Sequence, residues 1–522
     1  MQNKIRSHQQ ALVDKILARF EISCKVILNG ICGIGKTFIS LYLISIWVSK
    51  GSRVLVFTSS MNGIKFQWLA QILRHNALTR GSFKIVCSED TYAQHKNNPD
   101  VCTIKMLSED IRVVLILPQT VRKSAKFLGK FDYIIVDEAH AYLDVVDSKR
   151  PGTLKTIINL CSTPKTKVLG LTATAFELLT GRGFFSGIAD DDCVMYDIQD
   201  ALNANLVCDV KIHVSKFDFD IAEDYYKSDG DLTKAGEDLV RDKTHNSVKV
   251  EDILKIVQGK AIVITLPLQD RDIYDFINLK FGVGSCVLNS MRAEDADAAE
   301  LQFKNDPNVK FMVVINKCGV GYDFSELVNV VDLTFTKSHK LQIQRMLRTG
   351  RLSDVLPDKV GHYYYCCDQS SEDNSIRYNI GKSLWLMRKE GILAYKNMVE
   401  ARTMSVLSPV FRHTNTETTY MSVSVKEWMI DYEIKYSKRT LALSLQGCNN
   451  TINELYKFLS WASVEEMTSP QFLSLSSFLS SKVITVSLDD FRTYLKNNFS
   501  RIYDKYEKFG MILNPDVEHF LC

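Results

Sequence analysis

Short apolar runs punctuate the first two thirds of the chain, and the stretches between them carry helical spacing. Lys25-Val26-Ile27-Leu28 and residues 53–60, 113–117, 133–136 and 167–171 read as buried strands. Continuous apolarity in the strands, with helices between them, predicts a parallel doubly wound α/β sheet with ligands at the strands' carboxyl ends. An amphipathic helix is expected from Ile5 to about Phe20. The most apolar stretch, Phe38 to Val48, is too short to span a bilayer and reads as a core helix. Residues 206–250 are polar and charged with weak periodicity, and read as a link. After them, 261–265, 285–289, 311–315, 328–333 and 363–367 repeat the strand pattern, with a helix from Ala293 to Lys304. A second α/β sheet is therefore expected. Beyond Asp368 long amphipathic helices take over, with candidates at 376–398, 425–439, 452–461 and 488–509.

The strand at 25–28 runs into Gly30-Ile31-Cys32-Gly33-Ile34-Gly35-Lys36-Thr37, which fits G-x-x-x-x-G-K-[ST]. Gly30, Gly33 and Gly35 allow the backbone to approach a polyphosphate, and successive N–H groups at a helix N-terminus supply donors. Lys36 would reach the β- and γ-phosphates, and the Thr37 hydroxyl would bind Mg²⁺. Upstream, Arg6 and Gln9 are three apart and would share a helix face on the adenine side. The strand at 133–136 ends in Asp137-Glu138-Ala139-His140. Asp137 is placed to hold Mg²⁺, Glu138 to orient or deprotonate an attacking water, and His140 to sense the γ-phosphate. Thr172 and Thr174, after the strand at 167–171, can bond back to that segment. In the second half, Arg348 and Arg351 are three apart, so one helix face would present both guanidinium groups to a polyphosphate. Gly319-Val320-Gly321-Tyr322-Asp323 is a further glycine turn bearing an acid.

Gly30–Thr37, Asp137–His140 and Thr172–Thr174 resemble motifs I, II and III of the superfamily 2 helicases, and Arg6 with Gln9 resembles their N-terminal adenine motif. Thr58-Ser59 and Gln119-Thr120 look like the two segments that touch the nucleic-acid backbone in that family. Gly321 and Asp323 fall in a stretch similar to motif V, and Gln344, Arg348 and Arg351 at the positions of motif VI. Leu347 stands where the family often has glycine, and Ala175 where proline often follows the threonine pair. The resemblance covers about residues 1–368. It implies two tandem RecA-like lobes, 1–205 and 206–368, with ATP and Mg²⁺ in the cleft and a nucleic-acid strand crossing both. A mostly α-helical C-terminal extension, 369–522, would follow, with a possible protein partner.

Composition narrows the setting. The 64 Lys and Arg against 61 Asp and Glu give a charge of +3, which neither requires nor excludes nucleic acid. Thirteen scattered cysteines, without a C-x-x-C pair or zinc spacing, point to a reducing interior. No long apolar segment follows Met1, so neither a signal peptide nor a membrane partner is expected, and cytoplasm and nucleus are not distinguished. Trp385, Trp428 and Trp461 read as core residues. The reading is an ATP-dependent helicase or translocase whose family resemblance favours DNA. RNA helicase, or a nucleic-acid-stimulated ATPase that remodels complexes without unwinding, is the alternative.

Overall fold

The computed structural model describes residues 5–31, 33–58, 62–108, 110–121, 128–142, 153–180, 184–185, 188–227, 230–244, 247–289, 293–315, 324–368, 380–400, 420–426, 493, 496 and 497. The chain divides into two compact units, Met1–Ser422 and Val423–Cys522. The first holds two sheets, each the centre of a lobe.

The first sheet has eight strands: β1 (Lys25–Gly30), β2 (Val54–Phe57), β3 (Phe83–Cys87), β4 (Val101–Thr103), β5 (Val113–Ile116), β6 (Phe131–Val136), β7 (Ser162–Thr172) and β8 (Cys193–Tyr196). Their order is β4-β3-β5-β2-β6-β7-β1-β8, and every neighbouring pair is parallel. β1, β2 and β5 sit inside the sheet and are almost wholly buried, as is β6 from Ile134 to Val136, so both faces of these runs must be apolar. The five expected strands are all present. β3, β4 and β8 were not expected, because they are short outer strands whose apolar runs are brief or broken by Lys84. Helix α1 (Ser7–Phe20) buries Leu12, Val13, Ile16 and Phe20; α2 (Lys36–Ser49) and α3 (Asn62–His75) follow β1 and β2.

The second sheet comprises β9 (Val210–Lys216), β10 (Ala261–Thr265), β11 (Cys286–Asn289), β12 (Phe311–Ile315), β13 (Asn329–Asp332), β14 (Gly361–Cys367) and β15 (Tyr420–Ser424), ordered β11-β12-β10-β13-β14-β9-β15. All pairs from β11 to β9 are parallel. This corrects the reading of 206–250 as a link. That stretch holds β9 and the helices Lys234–Thr244 and Val248–Ile256. In β9, Val210, Ile212 and Val214 are buried while exposed Lys211 and half-buried His213 take the alternate positions, and the alternation dilutes the apolar signal.

The single helix expected at 376–398 is also corrected. Residues 380–385 are helical, 386–388 turn, and a new helix runs Lys389–Glu400. A Cβ at Gly391 would clash with the Trp385 carbonyl oxygen, so the second helix seats against the end of the first only with glycine there. The Lys389–Glu400 helix packs on the Ala175–Thr180 helix of the first lobe. Apart from 425, 426, 493, 496 and 497, the other helices expected in the tail lie outside the described residues. No helix among the described residues is long and apolar enough to cross a membrane.

Candidate active site

The loop between β1 and α2 is shaped by two glycines with left-handed backbones, Gly33 at φ +101° and Gly35 at φ +86°. Gly35 caps α2, and a Cβ there would meet Gln9 Nε2 at 2.5 Å. Gln9 therefore presses directly on the loop. Its Nε2 donates to the Ile34 carbonyl at 3.1 Å, and its Oε1 accepts the Arg6 backbone N–H at 3.2 Å. The helix begins at Ser7, so Arg6 is its extended N-cap residue with an exposed side chain, not a partner on Gln9's helix face. Lys36 Nζ donates to the carbonyls of Gly30 (2.7 Å) and Ile31 (3.4 Å), and half-buried Thr37 follows it in the first turn.

Across the sheet, β6 delivers Asp137 to the same end. The Asp137 N–H bonds the Phe57 carbonyl at the close of β2. Its Oδ1 accepts the Glu138 N–H at 3.0 Å, and its Oδ2 accepts Trp68 Nε1 from α3 at 2.8 Å. Burial, and then the neighbouring Glu138 charge, push the Asp137 carboxyl up to about 6. Glu138 adopts φ +47°, a conformation uncommon for a side chain of its kind.

His140 is the hub. Gln344 Nε2 donates to His140 Nε2 at 2.8 Å, which leaves the ring proton on Nδ1. Nδ1 lies 3.0 Å from Thr172 Oγ1 and 3.5 Å from Glu138 Oε2. Thr172 Oγ1 in turn accepts the Thr174 N–H at 2.9 Å. The Ala175 N–H reaches back to Asn29 Oδ1, one residue before Gly30. Burial lowers the His140 pKa to about 4; Glu138 opposes that, and Lys340, Lys36 and Arg348 assist it. The ring is thus neutral at physiological pH, and it feels the loop lysine of one lobe and an arginine of the other at once.

Gln344 and Arg348 lie buried on the helix His339–Thr349. Arg345, beside them on the same helix, ties it to its own lobe. Arg345 Nη1 donates to both Asp332 carboxylate oxygens (2.9 and 2.8 Å) and to Thr334 Oγ1 (2.6 Å), while the Tyr363 hydroxyl donates to Asp332 Oδ2. The helix stops at Gly350, so Arg351 does not share a helix face with Arg348 as its spacing suggested. Instead its backbone bridges antiparallel to Val207, just ahead of β9 in the same lobe, and Lys359 Nζ donates to its carbonyl at 2.8 Å. A Cβ on Gly33 would lie 3.7 Å from Val207 Cγ1, so the phosphate loop and the Arg351 segment meet at one residue.

Thr58 is buried at the end of β2, Thr120 is half-buried in the short helix Pro118–Val121 that also holds Gln119, and both stand at the carboxyl end of the first sheet. Ser59, Gly321 and Asp323 lie outside the described residues. Asn29, Trp68, Asp332 and Arg345 were not anticipated as site residues. Of these, only Trp68 carried a hint: an indole on the helix right after a hydroxyl-rich strand end.

A family model for the type III restriction enzyme res subunit matches residues 2–177, and one for the helicase conserved C-terminal domain matches 247–353. Together they span more than half of the chain. Similar solved structures include the ATP-dependent type ISP restriction-modification enzyme LlaBIII bound to DNA. It is 15% identical with a TM-score of 0.49, over 99% of this chain and 40% of that one. Another is a fragment of a putative HsdR subunit of a type I restriction enzyme from Vibrio vulnificus, 12% identical with a TM-score of 0.48, over 70% of this chain and 64% of that one. The chain thus spans less than two thirds of the length of either. No curated protein matches it.

Proposed function

This chain belongs to the superfamily 2 helicases, and on that footing we propose that it is an ATP-driven motor that moves along or unwinds DNA. The observation that carries the reading is the Gln344–His140 bond at 2.8 Å, which joins the helix of one lobe to the acid segment of the other. ATP would lie between Lys36 and Arg348. In this reading Lys36 leaves the Gly30 and Ile31 carbonyls for the β- and γ-phosphates, and Arg348 and Arg351 face charge developing on the γ-phosphoryl group. Glu138 takes a proton from the attacking water. His140 lies 3.5 Å from Glu138 on one side and is bonded to Gln344 on the other, so hydrolysis can be felt in both lobes.

The donor set suits magnesium: the Thr37 hydroxyl opens α2, and Asp137 offers a buried carboxylate beside that of Glu138. There a divalent cation bound with ATP would offset phosphate charge. Thr58, Ser59, Gln119 and Thr120 are assigned to the nucleic-acid backbone, and Gly321 and Asp323 to the link between nucleotide and strand.

The test is ATP turnover with single-stranded DNA, duplex DNA and RNA across salt concentrations, alongside strand separation. DNA should stimulate turnover, and more salt should weaken the stimulation, because phosphate contacts release counterions. Stronger stimulation by RNA would overturn the DNA assignment. Turnover without separated strands would assign a translocase or remodeller.

A further inference from the structure

Trp68 touches the acid segment from an element that the motor reading leaves idle. The indole is 1% exposed, and its Nε1 donates to Asp137 Oδ2 at 2.8 Å. The other carboxylate oxygen is held by the Glu138 N–H, so the indole is the side chain that sets the rotation of this group. Trp68 stands on α3, which starts at Asn62, four residues after Thr58. The Asp137 N–H is bonded to the Phe57 carbonyl, next to Thr58. The end of β2, helix α3 and the end of β6 thus form a closed loop of bonds around one carboxylate. A shift of α3 relative to β6 must turn or release it.

We propose that Trp68 is a positioning residue that orients the Asp137 carboxylate for the divalent cation and makes cation binding responsive to a strand held at the end of β2. The inference rests on the motor reading, and it concerns how strand and metal communicate. The chemistry is that of an outer-shell donor. A carboxylate that both binds a metal ion and accepts a fixed N–H is held in one orientation, and losing the donor costs about tenfold or more in metal affinity. Trp47 supplies the matched control. It too is buried, in α2, stacked on Tyr133 at 4.0 Å between ring centroids, and its Nε1 has no hydrogen-bond partner.

The experiment compares Trp68→Phe and Trp47→Phe in the full chain. Mn²⁺ binding is read by electron paramagnetic resonance in the presence of ADP, and fluorescent ADP affinity is read in EDTA. Trp68→Phe should weaken Mn²⁺ binding about tenfold and leave metal-free ADP binding within about twofold. Its turnover should need correspondingly more Mg²⁺, and DNA should stimulate it less. Trp47→Phe should change none of these. Unaltered Mn²⁺ binding in Trp68→Phe, or an equal loss in both variants, overturns the proposal. If Trp68→Phe does not fold, the indole N–H signals of the wild type are recorded with Mn²⁺ and ADP. Broadening of one signal supports the assignment and no broadening defeats it. Absence of strand-stimulated turnover in the wild type would instead count against the motor reading, while the Mn²⁺ titration still judges Trp68.

Discussion

Lys36 and Glu138 show what the site demands of single residues. Lys36 spends its ammonium on two carbonyls of its own loop, Gly30 and Ile31. Those bonds are local, so Lys36→Ala should melt near the wild-type temperature. It should lose turnover on the order of 10²–10³-fold, the scale of removing one donor from a charge-stabilising site. Paired ATPase and melting measurements check this, and a surviving rate would remove Lys36 from the mechanism. Glu138 sits at φ +47°, where a non-glycine residue costs about 1–3 kcal/mol. Keeping a carboxylate in that conformation makes sense if its position matters more than the strain. Glu138→Gln preserves size and backbone, so it should still bind ATP while hydrolysis stops; unchanged hydrolysis would show that another group activates the water.

At the scale of elements, the helix His339–Thr349 carries two different jobs on neighbouring residues. Arg348→Ala should depress turnover and spare stability. Arg345→Met should do the reverse, because it strands the Asp332 carboxylate, itself 1% exposed. Breaking a buried pair that way costs about 3–5 kcal/mol, which denaturant titration would read directly. This division was only half legible in the sequence. The family resemblance set Gln344, Arg348 and Arg351 at motif positions, because phosphate chemistry restricts residue type at fixed offsets. The Arg345–Asp332 pair escaped, because a charge on a helix looks the same whether it meets water or a partner on a neighbouring strand. Strands with an unbroken apolar run, such as Val26–Leu28 in β1, Ile134–Val136 in β6 and Ala261–Ile264 in β10, announced themselves, whereas β9 did not. The same alternation in β9 carries a pH effect. His213 Nε2 lies 2.8 Å from His362 Nδ1, and burial, then His362 and Lys211, lower its pKa to about 4. As pH falls below 6.5 the unfolded chain takes up a proton there that the fold refuses until about 4, so stability is lost across that window and is flat above it. His140 acts in the same direction, whereas Asp137, raised to about 6, opposes it. His213→Gln should flatten the decline of stability between pH 7 and 5 by about 1 kcal/mol, after allowing for partial solvent screening, as denaturant titrations at each pH would read.

For the whole molecule, the question is how two lobes with separate cores communicate without locking. Each sheet buries its own apolar residues, and at the active site the lobes meet through the polar Gln344–His140 bond and the approach of Val207 to the Gly33 turn. The Gln344–His140 bond is neutral on both sides, because burial keeps the imidazole uncharged, and such a bond contributes only about 1 kcal/mol net. That is the strength a cyclic motor needs: enough to favour the closed arrangement when a nucleotide adds its own contacts, and too little to hold it once phosphate has left. Val207 makes the closure specific, since both the Gly33 turn and the Arg351 backbone rest on it. Gln344→Ala should therefore leave both lobes folded and ATP binding nearly intact, because Lys36 and the loop amides are untouched. The ratio of DNA-stimulated to basal turnover should fall about tenfold, a factor equivalent to about 1.4 kcal/mol of lost coupling. A mutant with the wild-type ratio would mean that the lobes signal through the Val207 junction alone. Removing the Val207 side chain, and with it the surface Gly33 rests on, would then abolish stimulation while Gln344→Ala does not.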